Sequence, residues 1–445
     1  MLAGPAAAAP LAAAVTATAS SCSQPPGAVS CTPAPGTPAL TSGGTVQQIR
    51  QIVQCGSMMY AVGSFTTLTG YDASTGNADA TFHRSNAFSF AATPPYAVSN
   101  WRPDVNGEVN SIAVGGGHCS TAYLGGSFGQ VHRQRARNIV AVSTSAGTVR
   151  TSFRHDANNT VLTLVLHGRH LLAGGFFTSI NGSSHHYYVS LNRTTGANDG
   201  YLDLHISGRY SYPGARFNRT RVFNQQVSHS GGRLLAEGDF TSVGGKRRQQ
   251  IFMLSLAPRR ARLTSWNSTE FYERCQVREP YYLRAAAWSP DDSTVYIATT
   301  GYHLYLAPIG MTPRTGLCDA AAAFPAGNRQ VRHKWINYTG CDSLYAAAGG
   351  NGIAYFGGHE RWADNNDNCD AASPAAIPAP GMVGLSASAG TVVFNPTRSR
   401  GLGADDMLLT SAGLWIASDT FGGPSQCGGQ PGFAGICFLP YGSSS

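Results

Sequence analysis

The chain has 445 residues, of which 42% are apolar, 12% charged and 53 glycine, with a net charge of +8. So little charge and so much glycine fit a turn-rich β body, and no apolar run of about eighteen residues follows the N-terminal segment, which excludes a membrane-spanning helix there. Of the 31 basic residues only Lys246 and Lys334 are lysines; the positive balance suits an acidic partner through long-range attraction, while the lack of a recognised motif and of one gathered basic element argues against nucleic acid.

Residues 1–21 are alanine-rich, apolar and uncharged, and Ala17-Thr18-Ala19 has the small-residue spacing that a signal peptidase cuts. They predict a signal peptide and export. Residues 22–45 follow as a disordered or ring-closing segment. Beyond them a short phrase returns seven times: YAVGSF from Tyr60, YLGGSF from Tyr123, LAGGFF from Leu172, LAEGDF from Leu235, YIATTG from Tyr296, YFGGHE from Tyr355 and WIASDT from Trp415. The interval is about sixty residues, which points to radial repetition of a small antiparallel sheet.

An apolar run precedes each phrase across a Gly, Ser or Asp turn: VQQIRQIV, VNSIAV, VLTLVL, VFNQQV, AAAW, LYAAA and MLLT. Each pair reads as a β-hairpin. A third run follows in AFSF, NIVAV, YYVSL, IFMLSL and VGLSA. Three strands and a variable fourth make a blade, so residues 22–445 are expected to form an all-β, seven-bladed β-propeller of antiparallel sheets, and a monomer.

Ten cysteines and no C-x-x-C fit disulfides in an oxidising compartment better than zinc. Cys22 with Cys31 and Cys427 with Cys437 have spacings that close local loops, Cys55 and Cys119 fall in equivalent turns of adjacent blades, and Cys275, Cys318, Cys341 and Cys369 remain in the sector of blades five and six. Spacing alone does not fix the pairing.

The turns between first and second strands are short, so the face that carries the second-to-third connections is the expected binding face. Those connections are longest in blades one and six, which flank blade seven. The candidate ligand-binding residues are therefore His359, Glu360, Arg361 and Trp362 on the sixth connection, with Trp335, Tyr338, Asp342, Arg398, Arg400 and Asp405 entering the same sector. Indole and phenol rings stack on sugars, and arginines fork onto carboxylates or phosphates. Asp364, Asn366, Asp367 and Asp370 supply hard oxygens of the kind calcium takes, although their spacing matches no fixed calcium loop and turn-shaping is the competing account. A second, weaker patch recurs at the same position of blades two to four, in HRQRAR from His132, SSHHYY from Ser183 and KRRQQ from Lys246, and reads as a solvated polar rim.

The phrase GGSF, the stretch WRPDVNGEV from Trp101, and the segments LCDAAAAF, WINYTGCDSLY, YFGGHERW and GLWIASDTF resemble the secreted GG-x-F-T repeat propellers of actinobacteria, related to delta-60-type repeats. The likeness runs over nearly all of the chain after residue 40; Phe176 to Thr178 and the fifth phrase depart from it. It implies a propeller, export and a binding role, and brings no established catalytic residues. Neither G-x-S-x-G nor H-E-x-x-H occurs. The expected function is thus a secreted module that binds an extracellular glycan or cell-wall polymer. The alternatives are a polysaccharide lyase or hydrolase using His359, Arg361 and an acid such as Glu360, Asp342 or Asp405, and a protein-interaction scaffold.

Overall fold

A computed structural model of the protein describes residues 22–41, 44–209, 219–273, 275, 282–301, 316–327, 329–366, 368–369, 371–396, 398, 403–421 and 426–442. The fold is all-β and built of many small antiparallel sheets. Nine of these have three or four strands, and the seven that carry the returning phrase have as first strands Gln48–Cys55, Glu108–Gly115, Val161–His167, Arg221–Val227, Leu283–Trp288, Leu344–Gly349 and Asp406–Thr410. Each first strand lies beside that of the next sheet, and Asp406–Thr410 lies beside Gln48–Cys55.

Second strands such as His170–Gly175, Thr294–Thr299 and Ile353–Gly358 are buried at every position. Both faces of each sheet pack on a neighbour, which is why these strands read as unbroken small and apolar runs. Tyr60, Trp101, Ile112 and Leu124 form one such cluster between the first and second sheets, and Trp415 and Phe438 of the seventh sheet join Ile49, Phe88 and Phe90 of the first in another. Further backbone bonds link these last two: Ile49 N donates to Ser418 O at 2.8 Å and Thr420 N to Gln47 O at 2.9 Å. Residues 29–34 run along the outer edge of the seventh sheet, with Ser30 N donating to Pro440 O at 2.6 Å and Ala34 N to Phe438 O at 2.9 Å.

The glycine of the returning phrase has a specific cause. In the first four sheets and the sixth, a Cβ on Gly63, Gly126, Gly175, Gly238 or Gly358 would fall 1.9–2.3 Å from a backbone carbonyl oxygen at, or one residue before, the start of the first strand. That close approach accompanies a β-bulge at the same register: the ladder skips one residue after Ile49, Val109, Val161, Val222 and Leu344, and after Leu283 in the fifth sheet. The extra residues are Arg50, Asn110, Leu162, Phe223, Arg284 and Tyr345. All six line one cavity. A bulge bends its strand and re-aims one side chain, so the repeat sends one side chain from each bulged strand into a shared space as well as building a fold.

The second-to-third connections, read from sequence as loops, contain small hairpins of their own in six sheets, such as Gln130–Val131 with Gln134–Arg135 and Trp362–Ala363 with Ile377–Pro378. In five of them the strands have only two residues, too short to leave a periodic signal; in the first sheet they are longer, Thr67–Asp72 with Asn77–His83.

All ten cysteines are paired, as Cys22–Cys31, Cys55–Cys119, Cys275–Cys318, Cys341–Cys369 and Cys427–Cys437. Cys55–Cys119 ties equivalent turns of two adjacent sheets across 64 residues. Replacing both by serine is expected to cost about 3 kcal/mol, chiefly through the freed unfolded chain, as a lowered midpoint of urea unfolding.

Candidate functional site

The sector predicted as the site is dominated by internal pairing. Asp342 is buried, and Arg361 grips it with both fork nitrogens, Nε to Oδ2 at 2.7 Å and Nη2 to Oδ1 at 2.9 Å, while the Arg361 backbone N–H adds 3.0 Å to Oδ2. The same guanidinium lies 4.3 Å from the Trp362 ring centroid, a cation–π contact with a half-buried indole. Arg398 is also buried, donating through Nε to Gly403 O at 2.5 Å, through Nη1 to Gln426 O at 3.0 Å, and through Nη2 to the Ser418 hydroxyl. Burial lowers its pKa to about 10. These arginines lock chain segments together, which corrects the expectation that they face a ligand.

Trp335 is corrected likewise. It sits in the core between the fifth and sixth sheets, stacked near Tyr296 and edge-on to Phe356, with Nε1 donating to Ala387 O at 3.0 Å. Glu360 is wholly buried. His359 stays partly accessible and meets the Tyr345 ring edge-on. Asp364 accepts from the Asn337 amide at 2.7 Å and its own N–H donates back to Asn337 Oδ1 at 2.9 Å, so it braces a turn. Asp367, Asp370 and Arg400 lie outside the described residues, and among those described no group of three or more His, Cys, Asp or Glu converges as a metal site.

Two of the predicted residues do meet in a cavity. Tyr338 and Asn366 line a pocket of about 460 Å³ with Ile336, Leu317, His333, Glu270, Glu273 and Gly316. Tyr338 is on the outer strand of the fifth sheet, Trp335–Tyr338, and its hydroxyl donates to Gly316 O at 2.8 Å, fixing the ring. Glu270 belongs to a short 3₁₀ turn, Thr269–Tyr272, capped by the Ser268 hydroxyl. His333 holds that carboxylate through Nδ1 at 3.1 Å and its backbone N–H at 3.2 Å. The lining thus combines aromatic and aliphatic side chains with carboxylate, imidazole and amide groups.

The cavity that the first strands share, about 130 Å³, is lined from all seven of them. Its charges pair across sheets: Arg50 of the first sheet reaches Glu108 of the second at 2.8 Å and Asp405 at 3.5 Å, while Asp406 Oδ2 accepts from Ile52 N–H at 3.0 Å. Burial pushes Asp405 up to about 7, against the pull of Arg50, and Asp406 up to about 6. Near the fourth first strand, Arg221 meets Asp239 at 2.8 Å and the Asn224 amide donates to Glu237 at 2.9 Å. Burial drives Asp239 up to about 7 and Glu237 up to about 8. Sequence reasoning missed these two acids although a signal was present: in LAEGDF they stand where YLGGSF has Gly125 and Ser127.

Among the described residues no helix is long and apolar enough to cross a membrane. No family model matches the chain, and no curated protein does. Solved structures that it resembles include the computationally designed Ika8 protein (TM-score 0.43, 8% identity, 91% of this chain and 100% of that one), the WD40 β-propeller domain of Doa1 (0.45, 11%, 92% and 98%) and U3-55K (0.44, 8%, 92% and 100%). These likenesses are too distant to inform function, which rests on the sites themselves.

Proposed function

We propose that the protein is an exported, closed seven-bladed β-propeller whose role is to bind an extracellular glycan or cell-wall polymer in the Tyr338 pocket. The closed ring is favoured by the order of the first strands, by the apolar cluster shared between the seventh sheet and the first, and by residues 29–34 along the outer edge of the seventh. Export is favoured by five disulfides, which persist in oxidising compartments, together with the apolar leader.

The carrying observation is the pocket's composition. A sugar ring offers an apolar face and a rim of hydroxyls. Tyr338, Ile336 and Leu317 match the face, and Glu270, Glu273, His333 and Asn366 match the hydroxyls with acceptors and donors. A glycan array probed with the wild-type protein, Tyr338→Ala and Tyr338→Phe tests this. Tyr338→Ala is expected to weaken binding about tenfold, equivalent to about 1.4 kcal/mol, whereas Tyr338→Phe retains the ring and most of the affinity. An array on which the wild type holds no sugar removes the glycan reading; equal binding by Tyr338→Ala removes the pocket.

A further inference from the structure

Four of the small hairpins on the second-to-third connections share one turn. In the second, third, fourth and seventh sheets the paired residues Val131 and Gln134, Ile180 and Ser183, Val243 and Lys246, and Cys427 and Gln430 each enclose two residues. All eight enclosed residues have positive φ: Asn181 and Gly182 at 52° and 83°, Gly244 and Gly245 at 56° and 73°, Gly428 and Gly429 at 56° and 75°, and His132 and Arg133 at 47° and 62°. Two successive left-handed residues make the tight turn that favours Asn-Gly or Gly-Gly. Three hairpins comply. The second sheet alone forces histidine and arginine into a conformation that a side chain disfavours.

The neighbourhood holds that hairpin in place. The Asn106 side-chain oxygen accepts from Gly129 N at 2.9 Å and Gln130 N at 2.8 Å, His132 N donates to Pro103 O at 2.8 Å, and Ala136 N closes back on Gly129 O at 3.0 Å. A disfavoured backbone kept by such anchoring marks a position whose side chains have a task of their own. At this tip His132, Arg133, Gln134 and Arg135 are all exposed. Among the described residues neither Arg133 nor Arg135 makes an ion pair, whereas nearby Arg102 pairs with Asp104 and Arg137 with Asp156. Two blades along, the equivalent hairpin exposes Lys246 and Arg247.

We propose that this hairpin is an anion-binding crest, in which Arg133 and Arg135 grip carboxylates or phosphates recurring along an anionic polymer that extends over the third sheet toward Lys246. The unpaired guanidiniums match such anions bidentately, and repetition along a polymer suits cations spaced from blade to blade. The crest does not depend on the Tyr338 pocket.

The test uses the full chain on immobilised polygalacturonate and polyphosphate, with dextran as the uncharged reference. The double variant His132→Asn with Arg133→Gly installs the turn its sister hairpins prefer. It is expected to melt a few degrees higher than the wild type and to bind charged polymer at least tenfold more weakly, the wild-type affinity itself falling steeply with salt. Arg169→Gln, which removes one charge from an exposed turn of the opposite face, is expected to leave binding unchanged. Retention on polygalacturonate alone assigns carboxylate and on polyphosphate alone assigns phosphate. Failure to bind either polymer, equal binding by the double variant, or an equal loss in Arg169→Gln overturns the proposal.

Discussion

Replacing Gly126 by alanine is expected to destabilise the protein by about 4 kcal/mol, at the exceptional end of single-substitution losses, where strain cannot relax. The new Cβ would lie 2.1 Å from Glu108 O, 2.9 Å from Val109 Cα and 3.0 Å from the Phe128 ring. Two of those atoms are backbone, so relief requires parting the first and second strands of the sheet at the bulge. That bulge places Asn110 in the shared cavity while Val109 and Ile112 stay in the core between sheets. Removing it would slip the register by one and turn apolar side chains toward the cavity. Gly129→Ala is the matched control, since the nearest atom to its Cβ is a side-chain nitrogen 3.9 Å away and its φ is not left-handed. Urea unfolding of both variants reads the difference, and a Gly126→Ala loss below about 1 kcal/mol would contradict the close-approach account. The fifth sheet refines it. There Thr299 occupies the glycine's register beside a bulge, its hydroxyl accepting from Ala320 N at 2.8 Å. The bulge itself therefore tolerates a side chain; the drawn-in carbonyl does not.

That distinction also explains how much was legible in the sequence. The phrase, its turn and its partner runs announce hairpins, because a strand buried on both faces must be apolar throughout, and Leu171, Leu172 and Ala173 are examples. What the phrase could not announce was which of its glycines answered to a carbonyl, as Gly126 and Gly175 do, and which to packed side chains, as Gly125 and Gly174 do. The site was legible in part. Tyr338 and Asn366 do reach a common pocket, and His333 opens the same segment as Tyr338, but Glu270 was passed over, because 63 residues separate it from His333 and only the fold brings the pair together. Trp335 and Arg398 misled for one shared reason. A large amphipathic side chain satisfies its polar atoms equally well with a ligand or with carbonyls such as Ala387 O and Gln426 O, and those acceptors are distant in the chain. The hairpin tips of the second to fourth sheets looked like a plain polar rim because backbone handedness, which singles out His132 and Arg133, leaves no mark on composition.

Glu237→Gln is expected to flatten much of the pH dependence of stability and to make the protein more stable than the wild type at pH 9 by roughly 4 kcal/mol. Glu237 is a buried member of the fourth sheet's phrase, and desolvation pushes its carboxyl from about 4.5 up to about 8 despite the Asn224 amide and the Arg284 charge. Between those two values the folded protein keeps a proton that the unfolded chain has released. Unfolding therefore releases a proton, and stability must fall as pH rises through the window, levelling off above pH 8. Glutamine keeps the acceptor for Asn224 and has nothing to titrate. Wild type and variant are thus expected to differ little in their pH slope below pH 4.5 and to diverge up to pH 8. Asp239 and Asp405, pushed to about 7, and Asp406, to about 6, act with the same sign, so the variant retains a weaker decline of its own and the difference between the two profiles isolates Glu237. Parallel profiles from pH 5 to 9, followed by chemical unfolding, would show that Glu237 is ionised in the folded protein and that Arg284 outweighs its burial. The position of these groups gives the titration a structural consequence. Asp405 and Asp406 line the shared cavity beside Arg50 and Arg284. Acidification leaves that cavity net positive, and alkali restores the pairing at the cost of stability.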